Sequence, residues 1–469
     1  MRFWETVGLI LVLSAVGLTY EIAAGRVLAP FFGTSLVTWT TVIATVLAGF
    51  SFGSALGGLI AERERDVAAQ LVRRALIATA LLMALSPMIL SMLYGLGARG
   101  TGGMILSVIV AFFPASVLVS FPSPYLAKLA VEARPGREGS SLGIVLAAGS
   151  LGAILGAVLA GFVALPIVGS ALTFAGCGAV ALMCVSFVRG GPQSILEIIA
   201  PAGLIIALSF ANGSVCRYES GLSCIDVGYR DGELHLFSDR IAQAAERINS
   251  DNTPSQEDPL VLNYTQMLWA RMSHDLPTSA NVLFVGGGGY TLPSQLLSMR
   301  PNARAVAVEI DPLVTAVVQE NFPWAASVIK DNRRLEIVHA DGRRYINETE
   351  RQFDAVVMDA FSSGSVPAHL VTLETYQRLR EIVTGPVYVN LIDEPNGQLV
   401  RGTHAILTQL YPYVTAVVGP VSARGYANFI LTASPTPLAP LDRLPADFMV
   451  TTLAASSPFT DDRGWIGHR

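Results

Sequence analysis

The chain of 469 residues is 52% hydrophobic and only 14% charged, with a mean hydropathy of +0.50. That is too apolar for an ordinary soluble enzyme of this length, so part of it is expected to lie in a bilayer. A net charge of -5 and an isoelectric point near 5.7 offer nothing to a phosphate backbone and argue against nucleic acid as a partner.

Residues 1 to about 212 hold apolar runs, each near the ~20 residues that a hydrocarbon core of about 30 Å requires. Seven spans are expected, at roughly 7–30, 36–60, 68–95, 103–127, 140–165, 169–188 and 194–211, the last the weakest. The first is expected to stay attached as a membrane helix, because no small-residue cleavage site follows it and Glu21 and Arg26 interrupt its end. Gly49, Gly53 and Gly57 recur every fourth residue, as do Gly152 and Gly156, which predicts faces where helix backbones touch. Glu21 is an ionisable group inside a span, with Arg26 or Lys128 as available partners; a structural ion pair and a functional acid both fit. Phe121, Pro122, Ser123 and Pro124 are predicted to break the fourth span. The freed carbonyls there need a polar lining or a packed neighbour, and the break admits a cavity.

Arg63, Arg65, Arg73 and Arg74 fall between spans two and three, Lys128, Arg134 and Arg137 between four and five, and Arg189 between six and seven. The alternate loops carry little beyond Arg99, so the N-terminus is expected in the cytoplasm and the chain in the cell (inner) membrane as a multi-pass protein. Seven spans then put the C-terminal half outside. If the seventh, which carries Glu197 and Pro201, lies on the surface instead, that half returns to the cytoplasm, so its side stays unresolved while the charge bias favours the extracytoplasmic one. Cys216 and Cys224 could pair only in an oxidising compartment, or are two plain thiols of a small β-layer. Cys177 and Cys184, inside span six, read as small packing residues.

From Arg217 the composition becomes that of a soluble domain. Cys224 to Tyr229 and Glu233 to Phe237 read as two strands joined by an Asp231-Gly232 turn, 249–258 as a mobile loop around Pro254, and Leu260 to Ala270 as a helix. The expected divisions are a membrane domain over 1–212, a small β-element with linking helix over 213–270, and an α/β domain over 271–469.

The α/β domain turns on NVLFVGGGGYTLPSQLLSMRPNARAVAVEID, Asn281 to Asp311. Asn281 to Val285 is expected as a buried parallel strand, Gly286 to Gly289 as a tight turn, Leu292 to Met299 as a helix and Ala305 to Val308 as the next strand, ending in Glu309. Glycines let a nucleotide approach the backbone, and an acid about twenty residues on can accept both ribose hydroxyls. Arg334 to Val338 and Phe353 to Met358 are further strands, ending near Asp341 and at Asp359, where open α/β sheets bind ligands. Asp341 is placed to accept from an adenine amine and Asp359 to stand beside the reacting centre, although each could instead cap the next helix.

VLFVGGGGY, AVEIDP, HADGRRYI and FDAVVMDAFSSGSVPAHLVTLETYQ resemble the spermidine synthase family of aminopropyltransferases, whose core is that of S-adenosylmethionine-dependent methyltransferases. The membrane half, with LTYEIAAGRVLAPFFG, FGSALGGLIAER and a later TDDRG, is similar to the bacterial branch in which such a domain is fused to membrane spans. The implied fold is a multi-pass α-helical membrane domain followed by a Rossmann-like transferase domain with a small N-terminal β-element. The resemblance implies a transferase of polyamine biosynthesis using S-adenosylmethionine or its decarboxylated form, with methylthioadenosine as product. Its cofactor would meet Gly286, Gly287, Gly288, Glu309, Asp341 and Gly342. Asp359 would act as base with Tyr376 or His369 as helpers, and Gln243, Tyr264 and Ser362 would face the substrate; Glu219 falls at the family's ESxY-like start.

Two positions depart from the pattern. The family's GGGDG turn is GGGGY here, so Gly289 and Tyr290 replace an acid and its glycine, and the second catalytic acid is Ser362. A polycation needs several carboxylates, and this site has lost two. Three readings follow: aminopropyl transfer to a small-molecule amine, methyl transfer from or cleavage of S-adenosylmethionine, and nucleoside binding by a transporter or sensor without turnover. No metal-ligand spacing is present. The bilayer is the other expected partner, and homo-oligomerisation stays open.

Overall fold

The computed structural model describes residues 2–33, 36–190, 195–211, 216–249, 253–255, 259–331, 333–361, 366–423 and 425–463. The chain divides into two compact units, Met1–Cys224 and Ile225–Arg469, the boundary falling just past the expected edge at 212.

The first unit is helical: α1 (Phe3–Phe32), α2 (Leu36–Ala61), α3 (Arg65–Gly95), α4 (Gly100–Ser120), α5 (Pro122–Glu132), α6 (Glu138–Leu159), a π-turn at Ala160–Ala164, α7 (Leu165–Val185) and α8 (Leu196–Ala211), then a two-residue strand β1 (Tyr218–Glu219). Among the described residues five helical stretches are long and apolar enough to cross a membrane, the fifth being Glu138–Val185. This fifth stretch holds two of the expected spans. Gly152 and Gly156 lie against the Leu11 and Ala15 carbonyls, so α6 runs parallel to α1. Tyr20 meets both Ser86 and Phe174, and Gly178 lies against the Ala80 carbonyl, so α7 runs antiparallel to α1 and α3. The chain therefore reverses between them, at Gly169, where φ is 77°. The weak seventh span is a 16-residue helix, ~24 Å long over its described residues and shorter than the other five stretches.

Small residues set the packing. Gly49, Gly53 and Gly57 bring α2 onto Ser116 and the Val117 and Phe121 carbonyls. The expected break at 121–124 is correspondingly mild. Phe121 keeps helical dihedrals (φ -52°, ψ -38°), α5 starts on Pro122, and the Gly57 backbone occupies the ground where a cavity was expected. The outer faces stay apolar: Phe52, Leu59, Leu146 and Ile154 are all exposed.

Neither expected partner reaches Glu21. Arg26 is five residues on and turned around the helix, and it donates to the Ser220 carbonyl at 3.0 Å. Lys128 lies at the other end of the bundle, on the Ala61 carbonyl and Glu132. Glu21 Oε2 is left buried without a hydrogen-bond partner among the described residues. Arg134 stacks on Phe3, Arg189 pairs with Glu5 and Tyr125 donates to the Arg65 carbonyl, so the basic loops gather at one end of this unit. At the other end Glu219 caps the helical segment that restarts after Gly169, accepting from Ser170 N at 3.0 Å on both carboxylate oxygens. Cys216 and Cys224 are disulfide-bonded.

The second unit opens with an antiparallel meander of β2 (Cys224–Arg230), β3 (Glu233–Ser238) and β4 (Ile241–Arg247), followed by α9 (Asn263–Asp275). The expected mobile loop at 249–258 falls partly outside the described residues. Then come β5 (Asn281–Val285), α10 (Thr291–Met299), β6 (Arg304–Glu309), α11 (Pro312–Asn321), α12 (Pro323–Asp331), β7 (Leu335–His339), α13 (Gly342–Glu348) and β8 (Ala355–Met358). A 3-10 turn at Ala368–Leu370 leads to α14 (Leu373–Ile382), β9 (Val387–Asp393), α15 (Gln398–Leu410), β10 (Tyr413–Val418), β11 (Ala427–Ser434) and β12 (Met449–Val450).

The large sheet runs β12-β10-β11-β9-β8-β5-β6-β7, parallel from β9 to β7 and antiparallel beyond β9. Val282 to Val285 are all buried, as strands covered on both faces must be. The chain goes from β5 outward to β7 and returns to β8 on the other side of β5. This switch of direction opens a crevice at the carboxyl ends of β5 and β8, where such sheets take their ligands.

Candidate active site

Three strand ends converge on the glycine turn. Gly286 N donates to the Val308 carbonyl and Asp359 N to the Val285 carbonyl, both at 2.9 Å. Gly286 has φ +105° and lies against the Asp359 carbonyl, a backbone path and a closeness that no side chain tolerates. The turn and Asp359 are therefore locked together.

Glu309 closes the other flank. Its Oε2 accepts from Gly287 N at 2.9 Å and Gly288 N at 3.2 Å, and its Oε1 from Asp311 N at 2.9 Å. Burial raises its pKa, and these three backbone donors oppose the rise. The missing β-carbon of Gly288 faces open space, so the turn presents bare backbone on that side. Glu309, the turn and this open face set bare backbone beside a carboxylate whose spare lone pairs can accept from hydroxyl donors.

The departures from the family pattern have a structural logic. Gly289 lies against the Ala244 methyl of β4, and Tyr290, at φ 56°, turns its ring beneath Gly287. The wholly buried Tyr290 hydroxyl meets Thr315 Oγ1 at 2.6 Å, and Thr315 meets His339 Nε2 at 2.9 Å. The turn is thus filled from below by a phenol ring.

Asp359, at the end of β8, keeps one edge open to solvent while the protein around it pushes its carboxyl up to about 7. Asn390 and Tyr264 hydrogen-bond it and oppose that rise. Asn390 Nδ2 donates to Asp359 Oδ1 at 2.8 Å, and Asn428 Nδ2 donates to Asn390 Oδ1 at 3.0 Å. The Tyr264 hydroxyl also approaches the Gln243 carbonyl at 3.2 Å. Gln243 thereby meets this cluster through its backbone. Sequence reasoning missed Asn390 and Asn428; an amide in the middle of the apolar strands VYVNLID and ANFILTAS, where it must be paired, is the signal that could have found them.

Asp341, Gly342 and Tyr376 make no hydrogen bond to Asp359 among the described residues, and their partners lie elsewhere. Asp341 caps α13, accepting from Arg344 N at 2.9 Å, and its other oxygen meets His369 Nε2 at 3.1 Å, so both are engaged with each other and the helix end. Gly342 is small because Val285 packs onto it. Tyr376 does not take up the expected position of a helper. It shares the core face of α14 with Leu379 and Ile382, wholly buried, its hydroxyl without a hydrogen-bond partner among the described residues. Ser362 lies outside the described residues.

Residues 262–399 match the spermine/spermidine synthase domain family. The chain is 26% identical over 192 residues to a polyamine aminopropyltransferase of Vibrio vulnificus, covering 40% of this chain and 58% of that protein. It is 28% identical over 169 residues to polyamine aminopropyltransferase 2 of Pseudomonas aeruginosa, covering 34% and 47%. The chain thus spans about half the length of these curated relatives. Among solved structures, a probable spermidine synthase from Corynebacterium glutamicum superposes with a TM-score of 0.42 at 18% identity, over 48% of this chain and 82% of that one.

Proposed function

We propose, for a chain whose residues 262–399 carry a spermine/spermidine synthase domain, that the α/β unit transfers an aminopropyl group from decarboxylated S-adenosylmethionine to an amine. The observation that carries this reading is Asp359. It stands at the switch point of the sheet, locked to the glycine turn and balanced near 7 by burial against two hydrogen bonds.

The residues fit the nucleoside end of such a donor: Glu309 would take the ribose hydroxyls and the open face of Gly288 the approach of the sugar, with Asp341 toward the adenine side. The donor supplies a carbon already activated by its sulfonium. What is left to the protein is to hold the amine, accept its proton and exclude water. Above about pH 7 Asp359 is mostly ionised and can accept the proton. Tyr264 steadies the same carboxylate.

The turn itself favours a second reading. With Gly289 pressed on Ala244, this position offers no carboxylate to the amine end of a decarboxylated donor. A donor that keeps its own carboxylate would meet no repulsion there, which suits transfer from, or cleavage of, S-adenosylmethionine itself. Mass spectrometry of the products made from each donor, with amines offered as acceptors, tests both. Aminopropylated amine together with methylthioadenosine decides for the first reading, methylated or cleaved product for the second, and neither product would sink the function.

The helical unit is proposed to lie in a bilayer as a multi-pass anchor, supported by its long apolar stretches and their exposed apolar faces. The end that gathers the arginines is proposed to face the cytoplasm, and the end with Gly169, Glu219 and the Cys216-Cys224 bond the oxidising side.

A further inference from the structure

We propose that Asn390 and Asn428 are positioning residues for Asp359, a relay of two amides across three strands that fixes which face of an amide the reacting carboxylate meets. This inference rests on the reading of Asp359 as the base.

The relay follows from position and from the polarity of each bond. Asn390 lies on β9 and is paired in register with Ile430 of β11; Asn428, two residues back on β11, pairs with Ile392. Met358, the residue before Asp359, pairs with Val389, the residue before Asn390. Asp359 and Asn390 therefore stand at the same height on β8 and β9, and Asn428 reaches Asn390 along the diagonal, from the position on β11 that is level with Ile392. Asn390 is 2% exposed, so both ends of its amide must be paired inside the protein. They are: the nitrogen donates to Asp359 and the oxygen accepts from Asn428.

An amide can turn end for end, and nothing in its shape chooses between the two orientations. Turned the other way, Asn390 would present its oxygen to the Asp359 carboxylate and repel it. Asn428 supports the donating orientation by offering Asn390 a donor, which only the oxygen can accept. The influence reaches Asp359 from outside its own contact shell: Asn428 does not touch Asp359, yet it favours the orientation in which Asp359 receives a hydrogen bond. Among the described residues the titratable group bonded to Asp359 is Tyr264 of α9, and from β9 it meets only the uncharged Asn390. The relay is thus the principal adjustable influence on the carboxylate from the β9 side.

A plain packing role for the two asparagines predicts something different, because Asn428→Asp has nearly the same shape. As a carboxylate, position 428 would accept from the Asn390 nitrogen and turn that amide, putting its oxygen on Asp359. The test uses the full chain in detergent and an infrared pH titration of the protonated carboxyl band, assigned with Asp359→Asn. This reads the carboxylate without requiring turnover, so a failure of the proposed reaction leaves the result intact.

Asn390→Ala should move the Asp359 midpoint upward by about one pH unit or more, the size of a lost hydrogen bond to a charged acceptor. Asn428→Asp should move it in the same direction and further than Asn428→Ala, and by more than the same substitution does in the Asn390→Ala background, where only its charge acts. Where turnover is measured, the acid limb of kcat should follow the midpoint while the donor's KM stays within about twofold. An unchanged midpoint in Asn390→Ala, or equal midpoints in Asn428→Asp and Asn428→Ala, would overturn the relay. Should Asn390→Ala fail to fold, Asn390→Leu supplies the background in which the charge at position 428 acts alone.

Discussion

Gly289 and Ala244 stand so close that a β-carbon on the first would run into the methyl of the second. This contact joins the small β-sheet to the glycine turn, and it means that the acid of the family's GGGDG turn cannot simply be restored. Gly289→Asp is expected to destabilise the unit by about 1–3 kcal/mol through overpacking, with no gain in binding of a decarboxylated donor. Adding Ala244→Gly should recover much of that loss. If the aminopropyl end of the donor lies at this turn, the double variant should also prefer decarboxylated over intact S-adenosylmethionine in calorimetric titrations. A preference unchanged from the parent would move the donor's amine end elsewhere.

Glu309 is expected to decide nucleoside binding. Glu309→Ala removes the proposed acceptor for the ribose hydroxyls and also unties the Gly287 and Gly288 amides, so methylthioadenosine binding should weaken by about 1–3 kcal/mol. Glu309→Gln should lose less, since its carbonyl can still accept. Undiminished binding in the alanine variant would put the nucleoside outside this cradle.

Much of this geometry is legible in the sequence because buried parallel strands and glycine turns leave strong local signatures. VLFV, AVAV and AVVM announce β5, β6 and β8, and the acids after them follow from strand order. What stays illegible depends on partners distant in sequence. Nothing near Asn390 says that Asn428 lies beside it, and nothing near Asp341 says that it meets His369, whereas its capping of the next helix is one of its two expected readings. Tyr376 was readable: with Leu379 and Ile382 it falls at intervals of three on an amphipathic helix, which points it to the core. The antiparallel strands β10, β11 and β12 went unassigned, and in the helical unit the reversal at Gly169 hides inside one continuous apolar run.

Asp359→Asn is expected to keep donor binding and lose turnover, because the amide preserves the shape and removes the proton acceptor. In the parent, kcat should rise with pH and level off above about 7, where the carboxylate is ionised. A pH-rate profile that is flat between 5 and 8, or full activity in the asparagine variant, would remove Asp359 from the proton transfer.

Glu246 makes a separate, structural pH dependence. It is fully buried on β4, accepts from Trp324 N at 2.6 Å and Ala325 N at 3.2 Å, and burial pushes it up to about 7 against those two donors. A carboxyl raised on folding contributes stability that is present below its unfolded value of 4.5 and is lost as pH climbs through 7. Glu246→Gln cannot ionise, so its stability relative to the parent should improve by on the order of 1–3 kcal/mol between pH 5 and pH 8. Denaturation midpoints followed by tryptophan fluorescence measure this; a difference that does not change with pH would show that Glu246 is already ionised when folded.

The last expectation concerns the side of the membrane. The chain leaves α7 at the arginine-rich end of the helical unit, and α8 follows before the Cys216-Cys224 bond. Arg189 before α8 and Glu219 after it lie at opposite ends of the helical unit, and charge and disulfide give those ends their sides: arginines favour the cytoplasmic side, and a persistent disulfide favours the oxidising one. A cysteine introduced at Ser255, in a background lacking the native four, should then react with an impermeant reagent on intact spheroplasts. In the parent, thiol trapping before lysis should recover Cys216 and Cys224 as a bonded pair. Labelling of Ser255→Cys only after lysis, together with free thiols at 216 and 224, would put the α/β unit in the cytoplasm, where a sulfonium donor is made, and would reduce α8 to a helix on the membrane surface.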